Sequence, residues 1–221
     1  MKIVIVIMML TLTSLMGGSK VLYTLDFSKQ KDGDALPWLK SKGFEFFLSS
    51  KALHLRFNQG LLTFGTTGEK AGLFGVRFSK ALPNIGSVVI EWGVKQFPKG
   101  ANWSKGNNRV ALAAMFAMGT KKYSSGVPFA KKMPYFLSAF IGKKETVGKA
   151  YKGKLYKKTG RYYCVSNKKG LIKTRFNIAK KFTQAFDKKE PPLTAFGFQM
   201  NTKDTKGGAT AVIKKITFYS K

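Results

Sequence analysis

One histidine, one cysteine and ten carboxylates are the groups that this 221-residue chain offers for metal, nucleophilic or acid–base chemistry. His54 in ALHLRF and Cys164 in RYYCV sit at unrelated positions, and together they supply neither a zinc set nor a Ser-His-Asp or Cys-His pair. A lone cysteine forms no internal disulfide, and in its strand-like run Cys164 reads as a small buried hydrophobe. Glycoside hydrolysis needs two positioned carboxylates, whereas most acids here stand alone and Asp32-Gly-Asp34 lies in a polar, turn-like loop. A polysaccharide lyase could use tyrosine with lysine or arginine as base and charge neutraliser, but those residues are so abundant that no particular set stands out. The sequence therefore assigns no catalytic residue, no metal site and no cofactor.

Binding chemistry is better represented. Lys and Arg number 40 against 10 Asp and Glu, a formal charge of +30, and such a balance favours polyanionic partners. The stretch KGKLYKKTGRYYCVSNKK sets Lys152, Lys154, Lys157, Lys158, Arg161, Lys168 and Lys169 among three tyrosines with no acid. Three readings stay open for it: a nucleic-acid grip, a landing pad for an acidic polymer, or the solvated rim of a sheet. A second candidate is ANWSKGNNR, where Trp103, Asn107, Asn108 and Arg109 could form a compact sugar-binding loop. There the ring would lie against a pyranose while the polar groups meet hydroxyls.

The elements that must position these residues are strands. SVVIEWGVKQF places Val88, Ile90, Trp92 and Val94 on one face and Glu91 and Lys95 on the other. VLYTLDFS, GFEFFLSS, ALHLRF, LTAFGFQMNT and ATAVIKKITFYS alternate in the same way, and RVALAAMFAMG and PYFLSAFIG read as central strands covered on both faces. KLYKKTGRYYCVSNKKG reads as a hairpin about Thr159-Gly160, with Tyr162 and Cys164 facing one way and Tyr163 and Val165 the other. Helical spacing is confined to RFNIAKKFTQAF, which Pro191-Pro192 closes. The expected architecture is an all-β, two-layer antiparallel sandwich of jelly-roll type with one short helix. Residues 1–19 have the charge, apolar run and small-residue end of a secretory signal peptide, which leaves 20–221 as a single domain with no integral membrane span.

From SVVIEWGVKQF onward the chain resembles a family of exported bacterial proteins described as a domain of unknown function. Trp92 stands in that family's Trp-rich strand, Gly106-Asn107-Asn108 in its Gly-Asp-Asp turn, and Tyr135 in its Asn-Tyr-x-Trp strand. Asn201, Lys203, Asp204 and Thr205 fall in its late acidic turn, so the similarity spans about 85–218. The resemblance implies a jelly-roll fold, a periplasmic or secreted location and little chemistry; Tyr135, Asn201 and Asp204 join Trp103, Asn107, Asn108 and Arg109 as candidate ligand-binding residues. The family's acidic pair is amide here and the late turn keeps one carboxylate, which disfavours a Ca²⁺ site. The function expected is a non-catalytic binding module for an anionic polymer, acidic polysaccharide or cell envelope. Non-specific nucleic-acid binding and a lyase-like enzyme are the alternatives.

Overall fold

The computed structural model describes residues 18–128 and 130–221. The expected signal peptide lies outside the described residues except for Gly18 and Ser19. In chain order the first strands are β1 (Val21–Asp26), β2 (Gly33–Asp34), β3 (Phe44–Leu48), β4 (Arg56–Asn58) and β5 (Leu61–Thr66). Then come β6 (Ala71–Leu82), β7 (Ile85–Gln96), β8 (Val110–Tyr123), β9 (Met133–Ile141) and β10 (Ala150–Tyr151). The last are β11 (Gly160–Ser166), β12 (Gly170–Phe176), β13 (Leu193–Asn201) and β14 (Ala209–Ser220). Helices α1 (Leu36–Ser41) and α2 (Ile178–Phe186) interrupt them.

The strands form two seven-stranded sheets packed face to face, an all-β sandwich. The first runs β12-β7-β14-β5-β4-β2, with β1 also pairing β14; the second runs β10-β11-β9-β8-β13-β6-β3. The alternating residues of β7 do as their period demands: Val88, Ile90, Trp92 and Val94 all enter the core between the sheets. Trp92 keeps its indole N–H satisfied there by donating to Thr174 Oγ1 at 2.9 Å. Phe27, Phe64, Phe74, Phe116, Phe198 and Phe218 fill most of the remaining space, as the phenylalanine-rich composition foretells. Gly75 and Gly197 face each other across β6 and β13 because a Cβ at Gly75 would stand 2.3 Å from the Phe196 carbonyl oxygen.

Several elements differ from the sequence reading. ALHLRF is not one strand: Ser50–Leu53 is a 3-10 turn and His54 is left-handed at φ 50°, although Leu53, Leu55 and Phe57 are all buried as expected. Two helices form rather than one, because Pro37 in the first turn starts α1 over LPWLKS. The α2 helix matches its spacing, begun by Asn177 accepting the Lys180 N–H at 2.8 Å and ended by Asp187 in the left-handed region.

The largest correction concerns Gly153–Ser166. No hairpin turns at Thr159-Gly160; β11 instead pairs in parallel with β9 and antiparallel with the two-residue β10. A parallel neighbour requires a long connection, and residues 142–159 supply it by folding over the outer face of the second sheet. The side-chain alternation of β11 survives the change of partner. Tyr163 and Val165 enter the main core, whereas Tyr162 and Cys164 join a smaller outer core with Trp103, Val110, Ala113, Phe140 and Tyr151.

Candidate functional site

Trp103 is 6% exposed, so its ring is not available to stack on a sugar. It lies on Phe140 with ring centres 5.0 Å apart and meets Tyr162 at 4.7 Å and Tyr151 at 5.9 Å. The geometry comes from a short 3-10 turn, Trp103–Lys105, whose N-cap Asn102 accepts the Lys105 N–H and whose end is the left-handed Gly106. The indole N–H donates to the Arg109 carbonyl at 3.2 Å. Its backbone N–H donates at 3.0 Å to Glu145, a carboxylate only 3% exposed that also accepts the Lys143 and Lys144 N–H groups. Glu145 thus ties the Trp103 loop to the β9–β10 connection, and Cys164 is buried beneath that tie. Burial pushes the Cys164 thiol above its ordinary range, with the Glu145 charge adding to the effect, so the thiolate that nucleophilic chemistry needs is disfavoured.

The two turns that the sequence placed far apart do meet. Arg109 donates from Nε to the Lys203 carbonyl at 2.7 Å and from its terminal nitrogen to the Asp204 carboxylate. That hydrogen bond and charge hold the exposed Asp204 carboxyl below its usual range, helped by Lys154 and Lys203. Asn107 donates to the Asp204 carbonyl at 3.3 Å while its own Oδ1 is buried without a partner. Asn108 is half-buried in the same loop, and Asn201 accepts the Lys203 N–H at 3.2 Å. An open concavity of about 390 Å³ lies beside these turns, bordered by Glu69, Lys99, Gly100, Asp204, Thr205 and Lys206. Its two carboxylates are both engaged, Asp204 with Arg109 and Glu69 with the Asp204 N–H.

Tyr135 does not belong to this cluster. It sits five residues before Phe140 on β9, roughly 17 Å away at strand rise, and its ring enters the opposite face of the sheet. Its neighbours are Tyr123 and Phe186, both 4.7 Å away between ring centres, with the Lys188 ammonium above it at 5.6 Å.

The basic residues also divide. Arg161 is turned inward: its guanidinium donates to the Lys157 and Gly160 carbonyls at 2.6 and 2.7 Å and lies over the Phe186 ring. Lys168 and Lys169 are exposed at the crossover beyond β11, about 20 Å along that strand from its start. Lys152, Lys154, Lys157 and Lys158 are exposed on the connection that leads into β11. That connection is locked onto the β8–β9 loop, since the Tyr156 N–H donates to the Ser125 carbonyl at 2.8 Å and its hydroxyl donates to the Lys131 carbonyl. The β8–β9 loop and its flanks add Lys121, Lys122, Lys131 and Lys132, all exposed. The two segments, 121–132 and 152–158, contain no acidic residue, and none of their eight lysines enters an ion pair among the described residues. The hydrogen bonds of Tyr156 join these two lysine-rich segments, together the basic lobe.

Comparison with known proteins adds little. No family model matches the chain, and no curated protein matches it. Among solved structures, the K1 cleaved adhesin domain of Lys-gingipain from Porphyromonas gingivalis W83 is similar at a TM-score of 0.37 and 12% identity, over 90% of this chain and 98% of that one. A likeness of that size indicates neither activity nor ligand.

The residues that the sequence reading passed over are Glu145, as a structural tie, and the lysine pairs at 121–122 and 131–132, as part of the lobe. Glu145 had a signal: it is the one acid in a strongly basic stretch, where a carboxylate is kept for a local purpose. The lysine pairs flank an ordinary hairpin loop, and nothing in their spacing announces that Tyr156 will draw a second basic loop against them. Among the described residues, no group of three or more His, Cys, Asp and Glu side chains is placed to hold a metal ion.

Proposed function

We propose that the protein is a binding module for a multivalent anion, held electrostatically by the basic lobe. The observation that carries this reading is the convergence of two acid-free, lysine-rich loops, fixed to one another by Tyr156, with all eight ammonium groups exposed. Ammonium groups crowded on a fixed frame repel one another, and a polyanion relieves that repulsion while releasing its own counterions. The expected location is periplasmic or secreted, which makes an acidic polysaccharide or the anionic cell envelope the appropriate class of partner. Nucleic acid would satisfy the same charges.

The test is retention on heparin, alginate and single-stranded DNA as a function of salt, with neutral dextran as control. Binding should weaken along a straight line in log salt for every polyanion. Replacing Lys152, Lys154, Lys157 and Lys158 by glutamine should flatten that slope by up to about four ions, one for each lost contact. Replacing Lys168 and Lys169 should change it far less. Equal effects from both sets, or no retention at all, would refute the lobe as the site.

A further inference from the structure

The lobe carries one feature that a soluble polyanion does not call for. Val127 is 43% exposed and Leu155 is 40% exposed, and each stands in one of the two lysine-rich loops. Leu155 has Lys152 and Lys154 before it and Lys157 and Lys158 after it in KGKLYKK, and Val127 lies between the lysine pairs at 121–122 and 131–132. The loops meet close to these side chains: Tyr156, next to Leu155, bonds Ser125, whose hydroxyl donates to the Val127 carbonyl at 3.0 Å. Exposed aliphatic side chains flanked in the chain by exposed lysines fit an interface with an apolar layer beneath a negative one.

We propose that the basic lobe docks on the surface of an anionic lipid bilayer, with Leu155 and Val127 entering the acyl boundary and the surrounding lysines at headgroup level. The inference rests on the polyanion reading and narrows it to one partner. An acidic glycan or a nucleic-acid backbone would reward the lysines but leave both aliphatic side chains in water. A bilayer rewards both, because lysine can lay its methylene stem along the apolar layer while the ammonium stays among the phosphates. Each lysine at an anionic surface strengthens attachment about fivefold, and each methylene that enters the acyl region about fourfold. The lobe therefore combines the two contributions that reversible surface attachment requires. No helix of the described residues is long and apolar enough to cross a membrane.

The experiment is co-sedimentation of the protein with phosphatidylcholine vesicles, with and without about one third phosphatidylglycerol, alongside heparin binding of the same samples. Wild type should bind the anionic vesicles and not the neutral ones. The double variant Leu155→Ala and Val127→Ala, which removes the carbon equivalent of five methylenes, should lose about tenfold or more in vesicle binding, up to about a thousandfold if all of them enter the acyl layer, while its heparin affinity changes less than about twofold, since both side chains face solvent in the free protein. A gain-of-function variant, Leu155→Trp, should bind anionic vesicles more tightly than wild type, and brominated acyl chains should quench more of its fluorescence. Heparin binding with no vesicle binding, or vesicle binding indifferent to all three substitutions, overturns the bilayer inference and leaves the polyanion reading in place. Failure to bind heparin and anionic vesicles alike overturns both.

Discussion

Removing the Glu145 carboxylate should unfasten the outer core before it unfolds the sandwich. Glu145 is buried and accepts three backbone N–H groups, at 3.0 Å from Trp103, 2.8 Å from Lys143 and 3.1 Å from Lys144. Hydrogen bonds to a charged group contribute about 1.5–3 kcal/mol each. Lys143 and Lys144 are exposed residues whose N–H groups can turn to water after the substitution, so their loss costs little. The Trp103 N–H belongs to a buried residue and would be left without a partner. Glu145→Ala should therefore destabilise the protein by about 3–4 kcal/mol, and Glu145→Gln, which keeps one acceptor, by about half as much. Urea denaturation measures the global part. Cys164 reports the local part, because it is the only thiol in the chain and is buried beneath this tie. In wild type it should react with a thiol reagent only at the rate of rare opening, and in Glu145→Ala that rate should rise by about a hundredfold under native conditions. A variant within about 0.5 kcal/mol of wild type, with an unchanged thiol rate, would refute the assignment of Glu145 as the tie.

Trp103→Ala should cost about 3–5 kcal/mol in denaturant and speed Cys164 labelling, as expected of a core residue; a sugar-stacking residue would leave stability alone. Gly75→Ala should lower stability by about 2–4 kcal/mol because its methyl group would meet the Phe196 carbonyl oxygen at 2.3 Å, and a neutral result would mean that β6 and β13 can move apart. The Arg109–Asp204 contact should fade in acid. Asp204 is held below its ordinary range in the folded state, so its contribution is present above the unfolded carboxyl range and is lost as pH falls through the folded value. Asp204→Asn should accordingly be less stable than wild type in thermal denaturation at neutral pH, and the difference should shrink as pH falls below the ordinary carboxyl range.

The sandwich was legible because period-two alternation reports which side chains face the core, and it does so whichever strand lies alongside. Tyr162 to Val165 show this: the faces were read correctly while the partner was not, since β11 pairs with the distant β9 and the short β10 instead of with residues 154–158. A parallel neighbour leaves no mark in local sequence, because its turn chemistry is replaced by a long connection. Leu53 makes the same point from the other direction, buried as its alternation requires but carried on a 3-10 turn. In the candidate site, Asn107, Arg109 and Asp204 came together as their position in turns allowed, whereas Trp103 turned from surface to core. A tryptophan in a polar loop has the same neighbours in sequence whether it covers an outer core or stands in solvent. What decides is Phe140, Tyr151 and Tyr162, three aromatic rings far from it in the chain.

Those partners also explain why the two candidate sites carry different weight. Arg109, Asp204, Glu145 and Trp103 each have their polar groups engaged within the molecule, so a ligand at that loop would have to compete with contacts that hold the loop in place. Arg161 is in the same position, bound to two carbonyls and stacked on Phe186. The lysines of the lobe face the opposite circumstance. Their frame is fixed by Tyr156, yet among the described residues none of their ammonium groups is held in an ion pair, and the self-repulsion this creates is a standing cost to the folded state. Placing the charge on two loops that the fold then ties together makes that cost local. It also makes the relief local, because an anionic partner that meets one of the linked loops is held next to the other.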